Sequence, residues 1–85
     1  MPSQNVIVGS HIGLHARPAA LIAQAVAQSG VPVTLATDGG MPVDAGSALM
    51  IMTLGAKQGA EVTVTSDDAT VLERIAGMVA QDLDA

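Results

Sequence analysis

The chain has no cysteine and no phenylalanine, tyrosine or tryptophan, and its three basic residues, Arg17, Lys57 and Arg74, stand against eight acidic ones. Each shortage closes off a class of function. Without cysteine there is no disulfide framework and no thiolate to act as nucleophile or metal ligand, a composition that suits a reducing compartment. Without aromatic rings the core has to be assembled from Val, Ile, Leu, Met and Ala, which bury less surface per side chain. A net charge of −5 with so few cations argues against nucleic acid, which demands clustered Lys and Arg, and against an anionic membrane surface. Apolar runs such as residues 48–52 fall far short of the ~20 residues that span a bilayer. The opening Met-Pro-Ser-Gln-Asn carries no positive charge and no long apolar stretch follows it, so no targeting segment is expected. The expectation is a cytoplasmic protein without membrane insertion.

What the chain does have is 49% hydrophobic residues and no low-complexity tract, the composition of a globular domain. A single domain over residues 1–85 is expected, burying about 60–65% of its unfolded surface and leaving no room for an enclosed cofactor. Residues 4–8 read as a strand and 9–14 as a loop. Apolar or small residues at Pro18, Leu21, Ile22, Ala25, Val26 and Ser29 give one face of a helix over 16–29, with Gly30 able to close it at positive φ. Pro32 opens a strand over 33–37, and Asp38-Gly39-Gly40 forms a turn into a short strand over 41–43, which Pro42 confines to a sheet edge. Ser47 caps a helix that runs to Leu54 and ends at Gly55. Val62 and Val64 alternate with polar neighbours in a strand over 61–66. Residues 66–68 then cap a last helix with Leu72, Ile75, Ala76, Val79 and Leu83 on one face. One-sided strands interleaved with helices predict an α+β fold, an antiparallel sheet with helices on one face.

The chemistry concentrates in Gly13-Leu14-His15-Ala16-Arg17-Pro18-Ala19-Ala20. Pro18 suits a first helical turn, where its missing N–H is no loss, so the helix starts near Ala16 with His15 at its N-cap. There, free amides and the positive end of the helix dipole favour an anion. A neutral imidazole is a nucleophile, and the Arg17 guanidinium can fork two phosphate oxygens. A phosphoryl group on His15 would thus be held by the Ala16 and Arg17 amides and by Arg17 itself. Taken alone, the same residues also read as a polar N-cap histidine and a solubilising arginine.

Other signals are weaker. His11 and His15 have His-x₃-His spacing, but Gly9, Ser10 and Gly13 argue against a shared helical face and no third ligand is visible, so no metal site is assigned and His11 is read as a solvated loop residue. Gly55-Ala-Lys57-Gln-Gly59 lacks the Ser or Thr and the long cradle of a P-loop; it reads as a helix end leading into a strand. No nucleotide site is visible, and no cofactor is assigned. Residues 48–52 are apolar all round a short helix, so part of that surface is expected to face outwards. Asp38, Asp44, Asp67, Asp68, Asp82 and Asp84 show no catalytic pairing and read as turn, cap or solubilising residues.

The octet resembles the active-site segment of the HPr family, the histidine-containing phosphocarriers of the bacterial sugar phosphotransferase system. A second stretch, Ser47-Ala-Leu-Met-Ile-Met-Thr-Leu-Gly-Ala-Lys-Gln-Gly59 followed by Glu61-Val62, is similar to that family's regulatory-serine helix and the strand after it. The likeness runs from about residue 6 to residue 83. It implies a two-layer open-faced sandwich, β-α-β-β-α-β-α, with four antiparallel strands in the order 1-4-2-3 and three helices on one face. It implies that His15 accepts phosphate on Nδ1 from phosphorylated Enzyme I and passes it to Enzyme IIA components, with Arg17 stabilising the phosphate. It further implies that Leu49 and Met52 help dock these partners, and that Ser47 is a target for an HPr kinase. A phosphocarrier rather than an autonomous enzyme is expected, and a monomer. Two departures stand out. Ile12 replaces a frequent Ser or Asn, which leaves more of the phosphate binding to backbone groups and Arg17, and Gly46 replaces a frequent basic residue beside Ser47. Three rival functions share this sequence: a nitrogen-branch phosphocarrier, a regulatory binding protein controlled through Ser47, and a metal-binding module through His11 and His15.

Overall fold

The structure, a computed structural model, describes residues 2–83. Met1, Asp84 and Ala85 lie outside them, and with them the reading of Asp84 as a turn, cap or solubilising residue. Along the chain follow β1 (Ser3–Ile7), α1 (Ala16–Ser29), β2 (Thr34–Thr37), β3 (Val43–Asp44), α2 (Ala48–Thr53), β4 (Glu61–Thr65) and α3 (Ala69–Ala80). The strands pair antiparallel in the order β1-β4-β2-β3, with β1 and β3 at the edges. This is the α+β open-faced sandwich that the sequence predicts.

Period-two alternation sets the sheet's two faces. Val62 and Val64 of β4 are buried while Glu61, Thr63 and Thr65 turn the other way. Pairing places Val6 opposite Val62 and Leu35 opposite Val64, so apolar side chains from three strands share one face. A slip of one residue would turn Val62 and Val64 to water, which is what pins the register.

The helices bury their stripes on that layer. Pro18, Ala19, Ile22, Ala23, Ala25 and Val26 of α1 are buried, and Gly30 ends the helix at φ 69°. Leu21 does not belong to this face, contrary to the periodicity reading; it is exposed. The stripe leans through Ala19 and Ala23 instead, and Leu21 sits a further ~100° round the helix from Ile22. In α3, Leu72, Ile75, Ala76 and Val79 point inwards, and the Asp68 carboxylate caps the helix by accepting the Thr70 and Val71 amides at 2.9 and 3.1 Å. Leu83 is not on that helix, which stops at Ala80; it packs half-buried against the core from the segment beyond.

Ile22, Leu35, Ile51 and Ile75 are the largest fully buried side chains, each contributing about 1.5–3 kcal/mol by burial. Methionine, expected in the core, is absent from it among the described residues. Met41, Met50 and Met52 are exposed and Met78 is half-buried. Branched side chains with few rotamers fill the space between the layers, and the flexible ones are left outside. The third strand also differs from expectation. It holds Val43 and Asp44, and Met41 and Pro42 belong to the connection before it. Pro42 has no N–H to give the ladder, so pairing begins only at Val43 opposite Leu35.

Candidate functional site

The segment before α1 is tied down at both flanks by hydrogen bonds. On one side the Gly9 amide donates to the Val79 carbonyl at 3.0 Å, and the Ser10 hydroxyl donates to the Gln81 carbonyl and accepts the Leu83 amide, each at 3.2 Å. Ser10 is fully buried and satisfied by these partners. On the other side the Leu14 amide donates to the Ala56 carbonyl at 2.8 Å. Gly13 makes this approach possible. Its φ is +90°, and a Cβ there would lie 2.5 Å from the Ala56 oxygen and 2.9 Å from the Lys57 Cα. No residue with a side chain fits.

His15 emerges from this clamp as the N-cap of α1, with extended backbone (φ −97°, ψ −158°), and its side chain does not cap the helix amides. The first intrahelical bond runs from the Ala19 amide to the His15 carbonyl at 2.9 Å. Pro18 has no N–H, so the amides of Ala16 and Arg17 are the donors at the helix mouth for which the helix offers no acceptor. Arg17 is exposed on the first turn, and His15 itself is half-buried. An imidazole, two amides and a dipole end therefore meet at the helix mouth, with an exposed arginine two residues along the chain from the histidine. That set can hold an oxyanion against a histidine nitrogen.

Beside His15 lies a cleft of about 220 Å³, lined by Ile12, Leu14, Met52, Gly55, Ala56 and Lys57 as well as the histidine. Met52 reaches it from α2. Leu49 is 69% exposed on the same helix but does not line the cleft. Ser47 is the N-cap of α2, its hydroxyl accepting the Met50 amide at 3.3 Å. Partial exposure of residues 48–52 is observed, with Ile51 buried and Leu49, Met50 and Met52 outside. Ile12 is exposed at the cleft rim and adds apolar surface where a hydroxyl or amide would add a hydrogen bond.

Three residues gain a place that sequence reading did not give them. Lys57, read there as part of a helix end, is brought to the His15 cleft by the close approach at Gly13. The glycines around it do end α2 and redirect the chain, Gly55 at φ 62° and Gly59 at φ 87°. His11 is not merely solvated: its Nδ1 stands 3.1 Å from the Asp82 carboxylate. Asp82 is therefore a partner and not only a solubilising residue. Among the described residues no three His, Cys, Asp or Glu side chains gather to hold a metal ion. No helix among them is long and apolar enough to cross a membrane.

The chain resembles known proteins in sequence and in fold. Residues 2–81 match the family described as PTS HPr component phosphorylation site. The phosphocarrier protein HPr of Streptomyces coelicolor is 44% identical over 87 residues, spanning 99% of this chain and 94% of that one. Among solved structures, a phosphocarrier protein HPr from Bacillus anthracis superposes with a TM-score of 0.83 at 32% identity, covering 92% of this chain and 95% of the other. Crh, a catabolite repression protein of Bacillus subtilis, superposes with a TM-score of 0.70 at 36% identity and 93% coverage of each chain.

Proposed function

The chain belongs to the HPr family of phosphocarrier proteins, and we propose that it serves sugar uptake, taking a phosphoryl group onto Nδ1 of His15 from phosphorylated Enzyme I and passing it to sugar-specific Enzyme IIA domains. A phosphocarrier is not itself an enzyme; its histidine is the covalent way-station and the partner supplies the rest of each active site. The observation that carries the reading is the position of His15 as the N-cap of α1, beside the Ala16 and Arg17 amides.

The Nδ1 lone pair attacks phosphorus, and a P–N bond forms as the bond from phosphorus to the donor atom of Enzyme I breaks, its electron pair leaving with the donor. Charge that spreads over the phosphoryl oxygens meets the two amides, the helix dipole and the Arg17 guanidinium. Phosphoryl transfer asks chiefly for positioning and charge stabilisation, so an open cleft suffices and no cofactor is needed. The reverse chemistry then loads the acceptor. Leu49 and Met52 supply adaptable apolar contact for both partners, which meet this cytoplasmic, monomeric carrier in turn.

A regulatory reading attaches to Ser47 without displacing the first. Ser47 caps the helix that carries Met52 into the cleft, so a phosphate placed there by an HPr kinase puts about two negative charges on the docking face.

Incubation with Enzyme I and phosphoenolpyruvate tests the proposal. Acid-labile phosphate should appear on the protein, be lost in His15→Ala, and discharge onto a sugar-specific Enzyme IIA. Labelling that survives in His15→Ala would move the acceptor to His11. Labelled protein that refuses every sugar-specific acceptor would point to the nitrogen branch.

A further inference from the structure

Of the three cations in this acidic chain, Arg17 stands on the first turn of α1, two residues after His15, and Lys57 lines the His15 cleft. The third, Arg74, lies on the exposed side of α3 beside Glu73. No carboxylate lines the cleft, and among the described residues none pairs with the Lys57 ammonium.

The backbone of Lys57 is fixed relative to His15 with unusual economy. Gly55 and Gly59, both at positive φ, bracket the residue, and the Ala60 amide closes the turn onto the Lys57 carbonyl at 3.0 Å. The Leu14 amide reaches the carbonyl of the preceding Ala56 at 2.8 Å, and the Gly59 amide reaches the Val8 carbonyl at 3.0 Å. Gly13 is so close that a Cβ there would stand 2.9 Å from the Lys57 Cα. The turn is therefore stitched to the segment that presents the histidine, while the lysine side chain itself is exposed on a flexible stem.

We propose that Lys57 is the second cation of the phosphate site, its ammonium binding an oxygen of the phosphoryl group carried on His15 opposite the contribution of Arg17. The inference rests on His15 being the phosphorylated residue. A dianionic phosphoryl group has three acceptor oxygens, more than one guanidinium and two amides satisfy fully at an open surface. With Ile12 apolar, no hydroxyl or amide from that position joins them. A lysine suits the vacancy in chemistry: it is a point charge that can follow the phosphate in and swing aside when a partner docks, where the planar fork of arginine is fixed in geometry.

Phosphoramidate gives a test that needs no protein partner. It phosphorylates imidazole directly, its own P–N bond breaking with ammonia as leaving group while the P–N bond to histidine forms. The phosphoryl group on His15 is then titrated by ³¹P NMR, with the resonance assigned by its loss in His15→Ala. A nearby cation favours the dianion over the monoanion and holds this titration down. Lys57→Gln should raise the midpoint by about 0.3–0.6 pH unit, and Lys57→Arg should restore it. The exposed turn position leaves the melting curve of both variants unchanged. An unmoved midpoint in folded Lys57→Gln overturns the inference, even if transfer from Enzyme I is impaired, because Lys57 would then serve docking alone. A wild-type protein that forms no phosphohistidine, or whose resonance survives in His15→Ala, overturns the reading of His15 and the inference with it.

Discussion

Asp82 holds His11 from the far end of the chain: its two carboxylate oxygens stand 3.1 and 3.2 Å from the imidazole Nδ1, and the His11 backbone amide donates to one of them at 3.4 Å. Together with Ser10, this contact laces the loop ahead of His15 to the chain beyond α3. Both side chains are partly in water, at 53% and 35% exposure, so the pair is screened. Asp82→Ala should cost about 0.2–1 kcal/mol in urea denaturation. His11→Ala should cost a similar amount, and the double variant should lose less than the sum of the two. Additive losses would show that the contact carries no coupling.

Gly13→Ala should be strongly destabilising. It combines a φ of +90° with a Cβ 2.5 Å from a backbone oxygen that cannot move without breaking the Leu14–Ala56 bond. A loss of about 2–4 kcal/mol is expected. Gly30→Ala is the control: φ is +69° but no atom lies within 4 Å of its Cβ, so only the left-handed penalty of about 1–2 kcal/mol applies. Chemical denaturation of the two variants side by side checks the order, and equal losses would refute the steric account.

Arg17 should matter to transfer and not to folding. It is exposed, and among the described residues no carboxylate pairs with it. Arg17→Lys keeps the charge but loses the planar fork, so transfer from Enzyme I should slow with an unchanged melting temperature. Arg17→Ala removes the contact outright and should cost on the order of 10²-fold in rate. A wild-type rate in Arg17→Ala would remove Arg17 from the site.

Ser47→Asp should separate docking from stability. Aspartate is a good N-cap and complements the helix dipole, so α2 keeps its first turn. The new charge must be desolvated when a partner covers the neighbouring apolar surface, at a cost of about 1–3 kcal/mol. The expected outcome is a raised apparent KM for phosphorylated Enzyme I with a melting temperature within a degree or two of wild type. An unaltered KM in the folded variant would put α2 outside the docking surface.

The elements were legible where local chemistry decides them. The bounds of α1 follow from Pro18 and Gly30, and the Asp68 and Ser47 caps are written in the sequence because each acts on amides two or three residues away. Errors arose where tertiary contact decides. Whether Leu21 or the pair Ala19 and Ala23 flanks Ile22 depends on which way α1 rolls on the sheet, and periodicity alone admits both. The length of β3 depends on where it first offers β2 a donor, at Val43 after Pro42, not on the apolar character of Met41. The site divides in the same way. His15 and Arg17 share one short motif and are visible together, whereas Lys57 joins them only through the Gly13–Ala56 approach. His11 and Asp82 carry no mutual signal across 71 positions.

The exposure of three methionines, Met41, Met50 and Met52, has a consequence for sulfur chemistry. Peroxide reaches thioethers on the outside of this fold first, at Met41, Met50 and Met52, before any unfolding is required. Oxidation of Met52 to the sulfoxide would set a strong dipole into the cleft wall beside His15 and stiffen a contact that works by being soft. The fold would survive, since Ile22, Leu35, Ile51 and Ile75 contain nothing to oxidise. On the proposed docking role of Met52, phosphate relay is thus tied to the oxidant load around the protein.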